Sequence, residues 1–249
     1  VISTFSCPCY YYNVGSQGFT GTLPTYQAVN FGWGAVAPSL QSGDAHTLVE
    51  NSVEKTISGQ RQIVEVGARN SGSGMKIFVY HWINSVGQGY GTNFTVVGTP
   101  TYAPNTAVGP GTTLTSNLHF HTQYVAAGGG YPAAWWIGVY PVGGTFQWVG
   151  YYAASLWTGA GVSGFTDIDL GQVFGEIAST THLTASTVCS GMGSETLATN
   201  AVGASLGSAA TNLGLETQFQ RESPTGIDPY WNVASLSNST FRFGGPGAC

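Results

Sequence analysis

Short segments of period-two alternation, each bounded by glycine, proline or asparagine, dominate this chain and leave little room for helices. Residues 76–82, 118–124, 135–140 and 146–152 are rich in Val, Ile, Tyr, Phe, Trp and Thr and read as strands. Segments 28–33, 93–97, 216–221, 231–236 and 240–243 read the same way, so that about ten strands follow one another through short connections. No alternation of strands with helices is present. The expected fold is therefore all-β, an antiparallel β-sandwich with a groove on one sheet. The 37 glycines and 11 prolines supply the turns. Two weaker patterns, 152–157 and 198–212, are predicted helical. Segment 99–111, with three prolines and two glycines, is predicted to be a loop bordering a cleft. All-β folds of this length commonly remain one unit, and residues 1–249 are expected to form a single domain with no internal repeat.

Charge narrows the function classes. Six basic residues (Lys55, Arg61, Arg69, Lys76, Arg221 and Arg242) stand against eleven acidic ones, for a net charge of −5. The basic residues are scattered, so the phosphate-neutralising patch that nucleic acids require is absent from the pattern. No apolar run reaches the roughly eighteen residues that span a bilayer, and the first residues lack the basic and apolar regions of a signal peptide. A chain with few ion pairs has little to lose when carboxylates are protonated, which suits an acidic, extracellular setting. Four cysteines, Cys7, Cys9, Cys189 and Cys249, are expected to form disulfides, Cys7 and Cys9 each pairing with one of the distant two.

Against this background two acidic residues are out of place. Glu65 lies in the apolar segment Gln62-Ile-Val-Glu-Val-Gly67 and Glu176 in Gln172-Val-Phe-Gly-Glu-Ile177. An unpaired carboxylate in such a segment costs several kcal/mol or has its pKa forced upward. Alternation puts each glutamate on the strand face opposite the neighbouring valines. Were the two to meet in a groove, one would be ionised and the other kept protonated, an arrangement suited to activating water against a carbonyl. Spacing alone equally allows Glu65 to face solvent beside Arg61 or Arg69, and Glu176 to accept loop hydrogen bonds.

Other patterns carry less. His119 and His121 share a strand face and could bind zinc with His81 or His46, but no acidic cluster or His-Glu-x-x-His helix accompanies them. Gly203-Ala-Ser-Leu-Gly207 matches a nucleophile elbow, yet no histidine follows Ser205. Asp167-Ile-Asp169 reads as a turn rather than a cation site. Asn93-Phe-Thr95 and Asn238-Ser-Thr240 are glycosylation sequons.

Taken in order, Ile63-Val-Glu-Val-Gly67, Trp135-Trp-Ile, Val149-Gly-Tyr-Tyr-Ala-Ala-Ser-Leu-Trp157, Gly175-Glu-Ile177 and Gly191-Met-Gly-Ser194 resemble the motifs of neprosin-type glutamic peptidases. The likeness reaches upstream to Ala28-Val-Asn-Phe-Gly-Trp-Gly-Ala-Val-Ala-Pro38 and covers most of the chain from about residue 21. Ala68, Phe174 and Ala153 depart from that family's pattern. The resemblance implies an antiparallel β-sandwich whose substrate groove carries two catalytic glutamates, here Glu65 and Glu176. It also implies cleavage after proline in acid, without metal or cofactor, in a secreted enzyme. The expected partners are proline-containing peptides and unfolded proteins, with no nucleic acid or membrane, and the chain is expected to act as a monomer. Trp135, Trp136, Tyr151 and Tyr152 are candidates to line a flat pocket for the proline ring. Three other readings remain open: a non-catalytic carbohydrate-binding sandwich, a glycosidase using the same carboxylates, and a Gln/Glu dyad employing Gln62 or Gln172.

Overall fold

The computed structural model describes residues 10–23, 26–33, 44–108, 118–141, 144–179, 196–201, 216–221, 234–237 and 240–243. In chain order the strands are β1 (Tyr10–Leu23), β2 (Tyr26–Trp33), β3 (Asp44–Ile57), β4 (Gln60–Asn70), β5 (Met75–Ile83), β6 (Val86–Gly87), β7 (Thr95–Val96), β8 (Leu118–Val125), β9 (Ala134–Pro141) and β10 (Trp148–Ala153). A one-turn helix, α1 (Ser155–Gly159), precedes β11 (Ile168–Ser179), β12 (Thr196–Ala201), β13 (Glu216–Arg221), β14 (Ala234–Ser237) and β15 (Thr240–Phe243). Among the described residues these strands form two sheets. The first runs β13-β1-β11-β3-β4-β5-β6 and the second β14-β15-β12-β2-β8-β9-β10-β7. The pairings are antiparallel, so the chain is an all-β sandwich, as its alternation predicts.

The core follows from the pleat. Val53, Val64, Val66, Ala68, Ile77 and Val79 of the first sheet face Phe120, Trp135, Ile137, Val139, Val149 and Tyr152 of the second, all of them buried. Asn51 crosses the gap, its Nδ2 donating to the Phe120 carbonyl and the Thr122 hydroxyl. Helix α1 seats Trp157 in the same core, where its indole donates to the Trp82 carbonyl at 3.0 Å and packs against Phe165.

Two elements differ from expectation. Helix α1 covers only the end of the predicted 152–157 helix, because Tyr152 and Ala153 pair with β9. Residues 198–201, predicted helical, are strand instead: their backbone pairs with β2, and that of Ala198 and Thr199 also with β15, so tertiary pairing overrides local preference. Segment 99–108 is irregular as expected, and lies along β5 through hydrogen bonds such as Asn105 N to the Ile77 carbonyl. All four cysteines, the Gly203–Gly207 motif and Asn238 lie outside the described residues.

One buried group gives the core a pH dependence. His81 is fully buried, stacked on Tyr152 at 4.4 Å between ring centroids, and neither ring nitrogen has a hydrogen-bond partner in the protein. Burial lowers its pKa to about 4. A histidine depressed in this way binds its proton more readily when unfolded, so it opposes folding increasingly as pH falls from roughly 6.5 toward 4. His81→Leu is expected to stabilise the chain more at pH 4.5 than at pH 8, by roughly 2 kcal/mol. Thermal unfolding at the two pH values checks this.

Candidate active site

The outer face of the first sheet is where the acidic residues collect, because register partners on neighbouring strands project to the same side. Three rows cross the sheet there: Tyr80, Glu65 and Ser52; Phe78, Gly67 and Glu50; and Lys76, Arg69, Leu48 and Glu176. Glu65 and Glu176 are thus on one face, separated by β3. Glu50 of β3 stands between them, diagonal to both.

Each carboxyl has a different environment. Glu65 accepts a 2.7 Å hydrogen bond at Oε1 from the Trp82 indole. Its burial raises its pKa to about 8; Glu176 adds to the rise, while the Trp82 hydrogen bond and Arg61 oppose it. Glu176 lies 2.8 Å through Oε1 from Nε2 of His46. Glu50 is 2% exposed, its Oε1 has no hydrogen-bond partner in the protein, and burial pushes its pKa well above the carboxylate range, with Glu65 and Glu176 contributing. Glu65 is therefore a neutral carboxylic acid at neutral pH, and Glu50 is shifted in the same direction by its burial. Glu54 is matched instead by Arg61, whose Nε and Nη2 donate to its two oxygens at 2.7 Å each.

Glu50 was not among the residues the sequence singled out. The segment Leu48-Val-Glu-Asn-Ser-Val-Glu-Lys55 alternates without a uniformly apolar face, so it gives no clean strand signal. The signal that could have found it is the recurrence of Glu50 and Glu54 at even spacing among Thr47, Val49, Val53, Thr56 and Ile57, residue types that favour strands.

Aromatic rings wall this face. Tyr90, from the loop after β6, meets Tyr80 at 4.9 Å, Phe78 at 5.5 Å and His46 at 6.5 Å, and the Arg69 guanidinium lies 3.7 Å over its ring. Burial raises the Tyr90 phenol above its ordinary range, so it remains a protonated donor. The four aromatic residues proposed from the sequence are elsewhere. Trp135 and Tyr152 are fully buried in the core. Trp136 and Tyr151 stack together at 4.9 Å on the second sheet's outer face, where Tyr131 and Trp148 join them. Of the four, Tyr152 is near enough to Glu65 for that carboxyl to add to the rise that burial gives its phenol pKa.

The histidines are likewise dispersed. His46 is beside Glu176, His81 is between the sheets, and His121 packs against Phe146 and Trp148 on the second sheet. No group of three His, Cys, Asp or Glu residues among those described could hold a metal ion. Asp167 and Asp169 anchor β3, through Lys55 and the Thr56 amide respectively. Gln62 is turned away from the carboxylates and is held by Asn84 and the Gln60 carbonyl. Gln172 stands level with Ser52 by register.

No protein-family model matches the chain, and no curated protein matches it. Two solved structures are similar in shape: crystal structures of scytalido-glutamic peptidase, one with a transition-state analogue inhibitor and one with a peptide-based transition-state analogue. Each has a TM-score of 0.47 and 9% sequence identity, covering 95% of this chain and 98% of the other. Similarity of this degree carries no argument about chemistry, which has to come from the site.

The raised carboxyls set a linkage with a definite sign. A glutamate whose folded pKa lies above its unfolded value holds its proton when folded, so stability falls as pH rises from about 4.5 toward 8. Glu65→Gln keeps an acceptor for the Trp82 indole and removes the titration. It is expected to flatten the pH dependence and to gain up to a few kcal/mol near pH 8, with Glu50→Gln acting in the same direction. Denaturant unfolding between pH 4 and pH 9 reads both effects.

Proposed function

We propose that this chain is a glutamic endopeptidase in which Glu65 and Glu176 activate water for direct attack on a peptide carbonyl. The observation that carries the reading is the difference between the two on one face: Glu65 is held protonated to about pH 8, while Glu176 has His46 as its hydrogen-bond partner. With the His46 proton on Nε2, Glu176 is held as an acceptor and takes the water's proton. Glu65 donates its proton to the carbonyl oxygen; on collapse Glu176 passes the proton it took from water to the leaving nitrogen, and a hydroxyl of the tetrahedral centre returns a proton to Glu65. Attack by water forms the tetrahedral centre, and its collapse breaks the C–N bond with no acyl-enzyme. Tyr90, a protonated phenol near both glutamates, is a further donor to the developing oxyanion. The chemistry asks for no metal or organic cofactor.

The neprosin-like motif order supports the same two glutamates, and with them a preference for proline before the scissile bond and work on unfolded proteins in an acidic extracellular medium. In this reading the proline ring meets Tyr80, Trp82 and Tyr90, which flank the carboxylates, rather than the four aromatics suggested by the sequence.

The test is digestion of an unfolded, proline-containing protein across pH 3 to 9, with new termini read by mass spectrometry. Cleavage after proline is expected, falling away above about pH 8 as Glu65 loses its proton. Glu65→Gln and Glu176→Gln are each expected to lower the rate roughly a thousandfold while remaining folded. Undiminished cleavage in either variant would remove that glutamate from the mechanism. A folded wild-type chain that cleaves nothing yet binds sugars would move the assignment to a carbohydrate-binding sandwich.

A further inference from the structure

The third row of the carboxylate face ends in two cations. Arg69 of β4 and Lys76 of β5 are direct register partners on that side of the sheet. Like charges placed opposite one another repel. Two other cations are matched to carboxylates, Lys55 to Asp167 and Arg61 to Glu54. Arg69 and Lys76 have no ion pair among the described residues. Arg69 is braced instead by the Tyr90 ring beneath its guanidinium.

These two cations line a cavity of about 110 Å³ together with Ser71, Ser73, Tyr90 and Asn105. Its walls are fixed. Asn70 Oδ1 accepts hydrogen bonds from the Gly72 and Gly74 amides at 2.9 and 3.2 Å, which sets the turn carrying Ser71 and Ser73. On the other side, Asn105 N donates to the Ile77 carbonyl at 2.8 Å and Ile77 N to the Thr106 carbonyl at 3.0 Å. Two cations, two hydroxyls and an amide side chain around a space several waters in size form a receptor for an anion.

We propose that this cavity is a subsite for a carboxylate of the peptide substrate, either an acidic side chain or a free chain terminus. The identity of the ligand as a peptide rests on the peptidase reading. Arg69 lies two strands and Lys76 three strands from Glu176 in the same row. At roughly 4.8 Å per strand, that is about 10 to 14 Å, or three to four residues of extended peptide at about 3.3 Å each. The carboxylate is therefore held a few residues from the scissile bond.

The experiment measures binding separately from turnover. Dissociation constants are determined by calorimetry at pH 6 in the Glu176→Gln chain, with short proline-containing peptides that carry Glu, Gln or Lys at successive positions and end in a free acid or an amide. The Glu peptide is expected to bind about tenfold more tightly than the Gln peptide at one position. That ratio is expected to fall to about one in Lys76→Gln, and Lys76→Glu is expected to favour the Lys peptide. Dependence on the terminal acid rather than an internal Glu would assign the cavity to the chain end. Absence of binding, or binding indifferent to peptide charge, overturns the subsite. Charge-selective binding without cleavage by the wild-type chain leaves the subsite standing and removes the peptidase reading.

Discussion

Trp157 is held in the core by its own burial, its indole donates to the Trp82 carbonyl, and the Trp82 indole donates in turn to Glu65. This relay passes from the interior of the sandwich to its outer face through two hydrogen bonds. It gives Glu65 a fixed orientation on the outer face of the sheet. Because the first bond is made to backbone, the position of β5 and the position of Glu65 are set together. The helix that delivers Trp157 is a single turn, and its contribution to the site is out of proportion to its length.

The electrostatics of the face follow from a shortage of cations. Glu54 has Arg61 and Asp167 has Lys55, but Glu50 and Glu65 are desolvated without a cation in direct contact. Holding a proton is the less costly outcome for each, since an ionised, buried and unpaired carboxyl is worth several kcal/mol of penalty. Glu176 has another kind of partner, His46, which reaches it from the neighbouring strand. Three acidic residues of one chemical type thus occupy three environments, and the differences between them arise from burial and partners rather than from residue identity.

Much of the architecture was legible from alternation. β2, β5, β8, β9, β10, β13 and β15 lie where short runs of aromatic and β-branched residues alternate between turn formers. The long strands β1 and β3 were not visible. β1 is interrupted by glycines at positions 15, 18 and 21, and β3 carries polar residues on both faces. β3 is the central strand between Glu65 and Glu176, so missing it also meant missing Glu50. The placing of Trp135 and Tyr152 between the sheets was illegible for the opposite reason. A strand of continuous aromatics does not say which face meets a second sheet, and here those two face the core while Trp136 and Tyr151 face outward.

By itself the sequence determined that the chain would be antiparallel β, and that Glu65 and Glu176 would stand opposite apolar neighbours, since a period of two settles side-chain direction once a strand forms. Only the tertiary structure decided which carboxyls share a face, which one has histidine for a partner, and where two unmatched cations come to lie. Those properties depend on register between strands far apart in the chain. A shift of one residue would carry Glu50 or Arg69 to the other side of the sheet, and nothing local to either segment specifies the register.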